Sequence, residues 1–213
     1  IRAAIITDGD VAIAAGEFSQ SAPVVTTNGV ISVEATSVAV NNSLQVLASP
    51  FDEERVDIRL TSKAGDIQLT GLVEAPNAIE LRQQGNFGKI FGASRVATDR
   101  LRVEADGDVD LTTAVRSATI SSETGGVRLS EFDDVNVERV TAPAGTVSLS
   151  AEGVDRGGDG ENPVALTARV VEAQAVEFST PNGSMEVVLD TSRRISLGDQ
   201  AALTDTATPA TPM

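Results

Sequence analysis

The chain has 213 residues, a formal net charge of −15 and neither cysteine nor histidine. Disulfides and Cys/His zinc sites are therefore excluded, and so acidic a surface would repel nucleic acid and anionic membranes. Hydrophobic residues make up 41% of the sequence, enough for a core, but no apolar run approaches the ~20 residues that a membrane helix needs.

The chain begins at Ile1, where neither a charged segment nor an apolar signal-peptide core is visible. From this start we expect the sequence to be a mature product or a fragment cut from a longer chain. The far end, residues 201–213, is rich in Thr, Pro and Ala and is predicted to be a mobile tail or linker.

Between these ends a glycine precedes a short alternating pattern at regular intervals. The successive gaps are 20, 36, 20, 22, 19, 19 and 38 residues, and we interpret the two wide gaps as double steps. The missing markers then fall near 43–47 and 163–167, where "NSLQVLAS" and "NPVALTAR" supply a strand without the glycine. The marker glycines are Gly9, Gly29, Gly65, Gly85, Gly107, Gly126, Gly145 and Gly183.

Within each period, apolar and polar residues alternate over four to six positions. Strict alternation indicates a strand with one buried side, and branched residues dominate the predicted inner positions. Turn signals such as "TNG" (27–29) and "PNG" (181–183) separate the strands. The clearest predicted core residues are Val127, Leu129, Val135, Val137, Val147 and Leu149.

A fixed period favours a solenoid over a sandwich, because stacked coils bury a continuous column that one coil cannot bury alone. We therefore predict an all-β fold: a single right-handed parallel β-helix of about ten coils of roughly 19 residues, spanning 1–200. The segment 165–178, "ALTARVVEAQAVEF", is interpreted as two short strands with a corner at Glu172–Ala173.

Three segments interrupt the period: 49–55, 85–94 and 153–163. The first is predicted to be a polar loop at a corner. The second carries Phe87 and Phe91 and is predicted to be a protrusion or a packed bulge. Because insertions in solenoids map to loops and often to the binding face, we expect partner contacts at these three segments.

The runs "AGDIQLTG" (64–71) and "DGDVDLTT" (106–113) are followed, some nine residues on, by a second alternating strand. Over residues 5–198 this pattern resembles the shaft repeats of filamentous-haemagglutinin-type bacterial secreted adhesins. The resemblance implies a right-handed parallel β-helix and an internal or carboxy-terminal piece of a longer extracellular protein. The amino-terminal secretion domain of that family is not recognisable here.

The sequence offers candidate residues for a calcium site and for a pair of catalytic carboxylates. Asp155, Asp159, Glu161 and Asn162 offer oxygen ligands for Ca²⁺, but they lack EF-hand spacing, and a solvated acidic loop is the favoured interpretation. Pairs such as Asp108 with Asp110, or Asp133 with Asp134, have the residue types of a glycosidase, but 31 acidic residues produce such pairs by accident.

The sequence therefore predicts no catalytic, cofactor-binding or metal-binding residue and no enzyme activity. The expected function is an extracellular or cell-surface shaft or display domain of a larger bacterial protein. Its expected partner is a host or cell-surface protein or glycan, or neighbouring domains of the same chain, without nucleic acid or membrane insertion. The alternative is a β-helical polysaccharide-degrading enzyme or carbohydrate-binding module.

Overall fold

A computed structural model describes residues 1–52, 54–151, 164–180, 183–189 and 196–197. Throughout these residues the chain is all-β without helix, and its parallel strands stack as a β-solenoid of about eight turns. The strands are β1 (Ile5–Thr7), β2 (Val11–Gln20), β3 (Val24–Thr26), β4 (Ile31–Val40), β5 (Leu44–Val46), β6 (Ile58–Ser62), β7 (Ile67–Leu69), β8 (Val73–Glu74), β9 (Ala78–Gln83), β10 (Ile90–Ala105), β11 (Val109–Ser122), β12 (Val127–Glu131), β13 (Val135–Ala151), β14 (Val164–Ser179), β15 (Gly183–Leu189) and β16 (Ser196–Leu197).

Each turn of the solenoid has three sides, which we name faces A, B and C in the order that the chain meets them. Face A begins with β1, β3, β5 and β8, stacked in parallel. Face B begins with the first halves of β2 and β4, followed by β6 and β9. Face C begins with the second halves of β2 and β4, followed by β7. Four longer strands, β10, β11, β13 and β14, continue around a corner from one face to the next.

The predicted number of coils, about ten, is too high, because the solenoid has about eight turns. On face C, Val38 pairs with Ile67, so the third turn takes 29 residues. Val147 pairs with Val176, so the eighth turn is equally long. Each wide gap between glycine markers therefore holds one enlarged turn, and the strands in "NSLQVLAS" and "NPVALTAR" lie on faces A and B without adding coils.

The core is a set of aliphatic columns that run through the stacked turns. Leu111, Leu129 and Leu149 are register-matched neighbours on face C, and each is at most 1% exposed. All six residues predicted from the alternation to point inward are buried. Because like residues lie above like, aliphatic side chains of similar size fill the column at crystal-like density.

Polar side chains close the corners of the core from inside. The Ser62 hydroxyl donates to the carbonyls of Thr36 and Gly65, at 2.8 and 2.6 Å. The Ser122 hydroxyl donates in the same way to the carbonyl of Gly107 at 2.8 Å. These hydroxyls add side-chain hydrogen bonds to backbone carbonyls at the corners, where the strand ladder is interrupted.

The marker glycines between faces B and C allow the backbones of successive turns to approach closely. A Cβ added at Gly145 would lie 2.3 Å from the carbonyl oxygen of Gly125, one turn earlier. Any other residue would push the turns apart at this corner. Gly9 and Gly29 instead lie between faces A and B, ahead of β2 and β4, which is why the markers miscount the turns.

The irregular segments of the sequence differ in how the structure places them. In 85–94, Phe87 adopts a positive φ of 61° in an exposed corner before β10 begins. In 165–178, β14 is continuous, but its register shifts around the predicted corner at Glu172–Ala173. Residues 152–163 and 201–213 lie outside the described residues, as does the predicted calcium loop. Among the described residues, no helix is long and apolar enough to cross a membrane.

Candidate functional site

Aspartates at four corners each bind one turn of the solenoid to the next. The carboxylate of Asp10 accepts the backbone N–H of Val30, its register equivalent one turn later, at 2.8 Å. Asp66 accepts the N–H of Lys89 at 2.8 Å in the same way. Asp108 and Asp134 repeat the arrangement with the next turn, at 3.0 and 2.8 Å. The recurrent Asp before a strand is therefore an acceptor for the following coil.

Asp108 has an additional partner. The Lys89 ammonium group lies 2.8 Å from its Oδ2. The hydrogen bonds from Lys89 and from the Gly126 N–H hold the pKa of Asp108 below its usual value. Asp110 is exposed on the outside of the same strand, two residues further on. Asp108 is thus engaged in holding successive turns together.

The loop between β5 and β6 is anchored to the solenoid by a buried carboxylate. Asp57 is fully buried, and its Oδ1 accepts the Ser49 hydroxyl at 2.9 Å and Arg55 Nε at 2.8 Å. Its Oδ2 accepts the backbone N–H of Asn77, one turn later, at 2.8 Å. From the fifth turn, Arg100 donates to the carbonyl of Asp52 at 2.9 Å. The predicted loop at 49–55 is thus held from both ends.

Face B carries a lattice of arginine and glutamate across the third, fourth and fifth turns. Glu80 lies 2.6 Å from Arg59 Nε and 2.5 Å from Arg82 Nη2, and its side chain is only 7% exposed. Glu104 lies 3.1 Å from Arg82 Nε and 2.5 Å from Arg102 Nη2. Each of these three arginines is paired with at least one of the two glutamates, so the positive charge of this region is largely compensated on its own face.

Face A carries an open groove with a volume of about 670 Å³. Its floor includes Ala97 and Ala114, which are register neighbours and follow Glu74 in one outward column. Leu47, 60% exposed, lines one end. The groove exists because two alanines succeed a longer side chain in that column, which leaves a depression along the solenoid axis.

The rim of this groove is acidic. Glu74, Asp99, Asp133 and Asp134 line it, and Arg116 is the one cation among its lining residues. Arg116 Nη1 lies 3.1 Å from Asp99 Oδ1, with a side chain that is 82% exposed. The two acidic neighbours considered from the sequence, Asp133 and Asp134, thus stand at the end of a real depression, although the carboxylates are spread along it.

A buried carboxylate lies behind the groove wall. Glu131 is 1% exposed and accepts the Thr113 hydroxyl at 2.7 Å. It also accepts the backbone N–H groups of Val115, Phe132 and Asp133 at 3.0–3.2 Å. Burial raises the pKa of Glu131 to about 7, although these hydrogen bonds act in the opposite direction.

Glu131 was not singled out from the sequence, yet a signal was present. It continues the inward series of Val127 and Leu129, so the alternation places an acidic residue on the inner side. Both of its oxygens are used by donors of the chain itself. We interpret Glu131 as the structural acceptor that closes the corner after β12, where Val115 and Asp133 lead into the groove wall.

Within the described residues, no group of three or more acidic side chains is arranged to hold a metal ion.

Comparisons with protein-family models, with curated protein sequences and with solved structures find no match to this chain.

Proposed function

We propose that this chain is a non-catalytic shaft or display segment of a larger bacterial surface protein, located outside the cell. The observation that carries the proposal is the parallel ladder, which runs from β1 to β16 with one aliphatic core. Such a solenoid lengthens by adding turns without changing its cross-section, and each turn contacts mainly its neighbours. This is a suitable construction for holding a binding surface at a distance.

The resemblance to filamentous-haemagglutinin-type shaft repeats supports the same proposal through its sequence pattern. The runs that carry the resemblance include Asp66 and Asp108, whose carboxylates bind the next turn. A repeat that preserves these acceptors preserves the means by which coils are joined. We therefore propose that the chain belongs to that adhesin family, is secreted and takes part in adhesion.

The rival is a carbohydrate-active β-helix, and the acidic groove is the observation that favours it. Glycoside hydrolysis uses two carboxyl groups, one with a raised pKa. Glu131 has the raised pKa, but its side chain is buried and both oxygens accept hydrogen bonds from the chain. A proton on Glu131 therefore has no direct path to a sugar in the groove, which favours the shaft.

A paired assay separates the two. Beads coated with the chain are passed under flow over arrayed glycans and extracellular-matrix proteins, while soluble chain is incubated with polyuronates and tested for reducing ends. Retention of beads without release of reducing ends is the expected result. Release of reducing ends that is lost in an Asp99→Asn variant, without bead retention, would replace the shaft with the enzyme.

A further inference from the structure

The groove on face A has the length of a short extended peptide. It runs along the solenoid axis from Leu47 in the third turn to Asp134 in the seventh. Four spacings between stacked strands at ~4.8 Å amount to ~19 Å. An extended segment of about six residues, at ~3.3 Å per residue, has this length.

The floor and the rim of the groove are complementary to different kinds of side chain. Ala97 and Ala114 present methyl groups, whereas Glu74 and Asp99 stand beside them as carboxylates. Successive side chains of an extended peptide point to opposite sides. Small residues can therefore face the alanine floor, and long lysine or arginine side chains between them can bend back to the carboxylates of the rim.

The end of the groove is formed by a fixed apolar feature. Leu47 lines this end, is 60% exposed and belongs to the loop that Asp57 and Arg100 anchor. Exposed apolar side chains on an already ordered loop give up little conformational entropy when a partner covers them. This end of the groove is thus suited to a hydrophobic contact.

Other occupants fit less well. An anionic chain would face four carboxylates and a single guanidinium. A neutral oligosaccharide generally stacks on aromatic rings, and none lines this groove among the described residues. The lining carboxylates do not form a metal cluster in the described part of the chain.

We propose that the groove on face A binds an extended segment of a partner protein in which lysine or arginine alternates with small apolar residues. The biological role of this site rests on the proposed function as a display shaft. The site adds to that function the chemistry of the partner that the shaft would bind. The binding itself depends only on the groove and its charge.

The probe is a fluorescein-labelled octapeptide in which lysine alternates with alanine, and its partner peptide has glutamate in place of lysine. Binding is measured by fluorescence anisotropy at 0.15 M salt, where the Debye length is ~8 Å and diffuse attraction is screened. The lysine peptide is expected to bind the parent chain at least tenfold more tightly than the glutamate peptide.

Two variants test the site, and a third is the matched control. Glu74→Gln with Asp99→Asn removes two rim charges, and Ala97→Leu with Ala114→Leu fills the floor without changing the charge. Asp110→Asn with Glu138→Gln removes two charges from exposed residues on faces C and B. We expect at least fivefold weaker binding in each groove variant and less than twofold in the control, with all melting temperatures measured in parallel.

Equal weakening in the rim variant and the control would reduce the effect to the general acidity of the chain and overturn the proposal. Unchanged binding in the filled variant, if it remains folded, would overturn it as well. Displacement of the peptide by a neutral oligosaccharide would reassign the groove to glycans. If beads are retained under flow but the lysine peptide does not bind, the groove proposal fails and the shaft proposal stands.

Discussion

At the scale of single residues, carboxylates join successive turns at the corners where the strand ladder stops. Asp10, Asp66, Asp108 and Asp134 each accept a backbone N–H from the register-equivalent residue of the next turn, at 2.8–3.0 Å. A charged acceptor forms a stronger hydrogen bond than a neutral one, so a single aspartate compensates for the missing backbone partner at each corner. The high acidity of the chain therefore has a structural component.

Replacing one corner aspartate should measurably destabilise the solenoid. Asp66→Ala leaves the Lys89 N–H without its acceptor, and we expect a loss of about 1–2 kcal/mol in urea unfolding. Asp110→Ala, an exposed aspartate on face C, is the control and should change stability by less than about 0.5 kcal/mol. Equal losses in the two variants would show that the corner acceptor does not hold the turns together.

Glu131 should make stability depend on pH. Its folded pKa of about 7 lies above its ordinary value of 4.5, so the fold favours the protonated form. The stability contributed by this preference is complete below pH 4.5 and is lost as the pH rises through 7. Relative to a Glu131→Gln variant, the parent should lose on the order of 3 kcal/mol between pH 4.5 and pH 8.

The measurement is urea unfolding of parent and Glu131→Gln at several pH values, with Glu138→Gln as the exposed control. The difference between the parent and the Glu138→Gln variant should stay constant across the series. Parallel curves for the parent and the Glu131→Gln variant would mean that Glu131 does not titrate in this range.

At the scale of elements, each strand contributes a buried and an exposed side with different tolerance. Leu129→Asp places an unpaired charge between Leu111 and Leu149, and we expect a loss of several kcal/mol, seen as a large drop in melting temperature. Arg128→Ser changes the neighbouring exposed residue without placing a second negative charge beside Asp110, and it should have a small effect. If both variants melt close to the parent, the strand register is wrong.

The loop between β5 and β6 should be ordered because of Asp57. Asp57→Ala removes the acceptor for Ser49, Arg55 and Asn77, so the loop should become accessible to chymotrypsin at Phe51. The parent should resist cleavage there under the same conditions, as should Glu54→Ala, which changes an exposed loop residue. Equal cleavage of all three proteins would indicate that the loop is not anchored.

The strands and their buried sides were predictable because alternation is a local property, and Val127, Leu129 and Val147 all point inward as expected. The number of turns was not predictable, because a glycine before a strand can mark either the corner between faces A and B or the corner between faces B and C. The anchoring of the loop was not predictable either, since Arg100 lies 45 residues beyond Arg55, whose carbonyl it contacts. Glu131 was visible as an acidic inward residue, but its donor Thr113 comes from the previous turn.

At the scale of the whole molecule, about eight turns at ~4.8 Å form a column ~38 Å long, with three faces of different character. Face A carries the acidic groove, and face B carries paired arginines and glutamates. The net charge of −15 favours solubility and discourages side-by-side pairing of solenoids. The acidic groove on face A is the feature on which the proposed recognition of a cationic segment rests.

The central claim, a three-sided solenoid with an enlarged third turn, is tested most directly by engineered disulfides, since the chain has no native cysteine. The structure pairs Ala39 with Gln68 on face C, 29 residues apart, whereas a regular repeat would bring Ala39 beside Arg59, which lies on face B. Paired strands place Cα atoms within the ~4.4–6.8 Å that a disulfide requires. The account predicts that Ala39→Cys with Gln68→Cys oxidises readily without loss of β-structure, and that Ala39→Cys with Arg59→Cys remains reduced. Oxidation of the second pair in place of the first would contradict the enlarged turn and the three-sided register built on it.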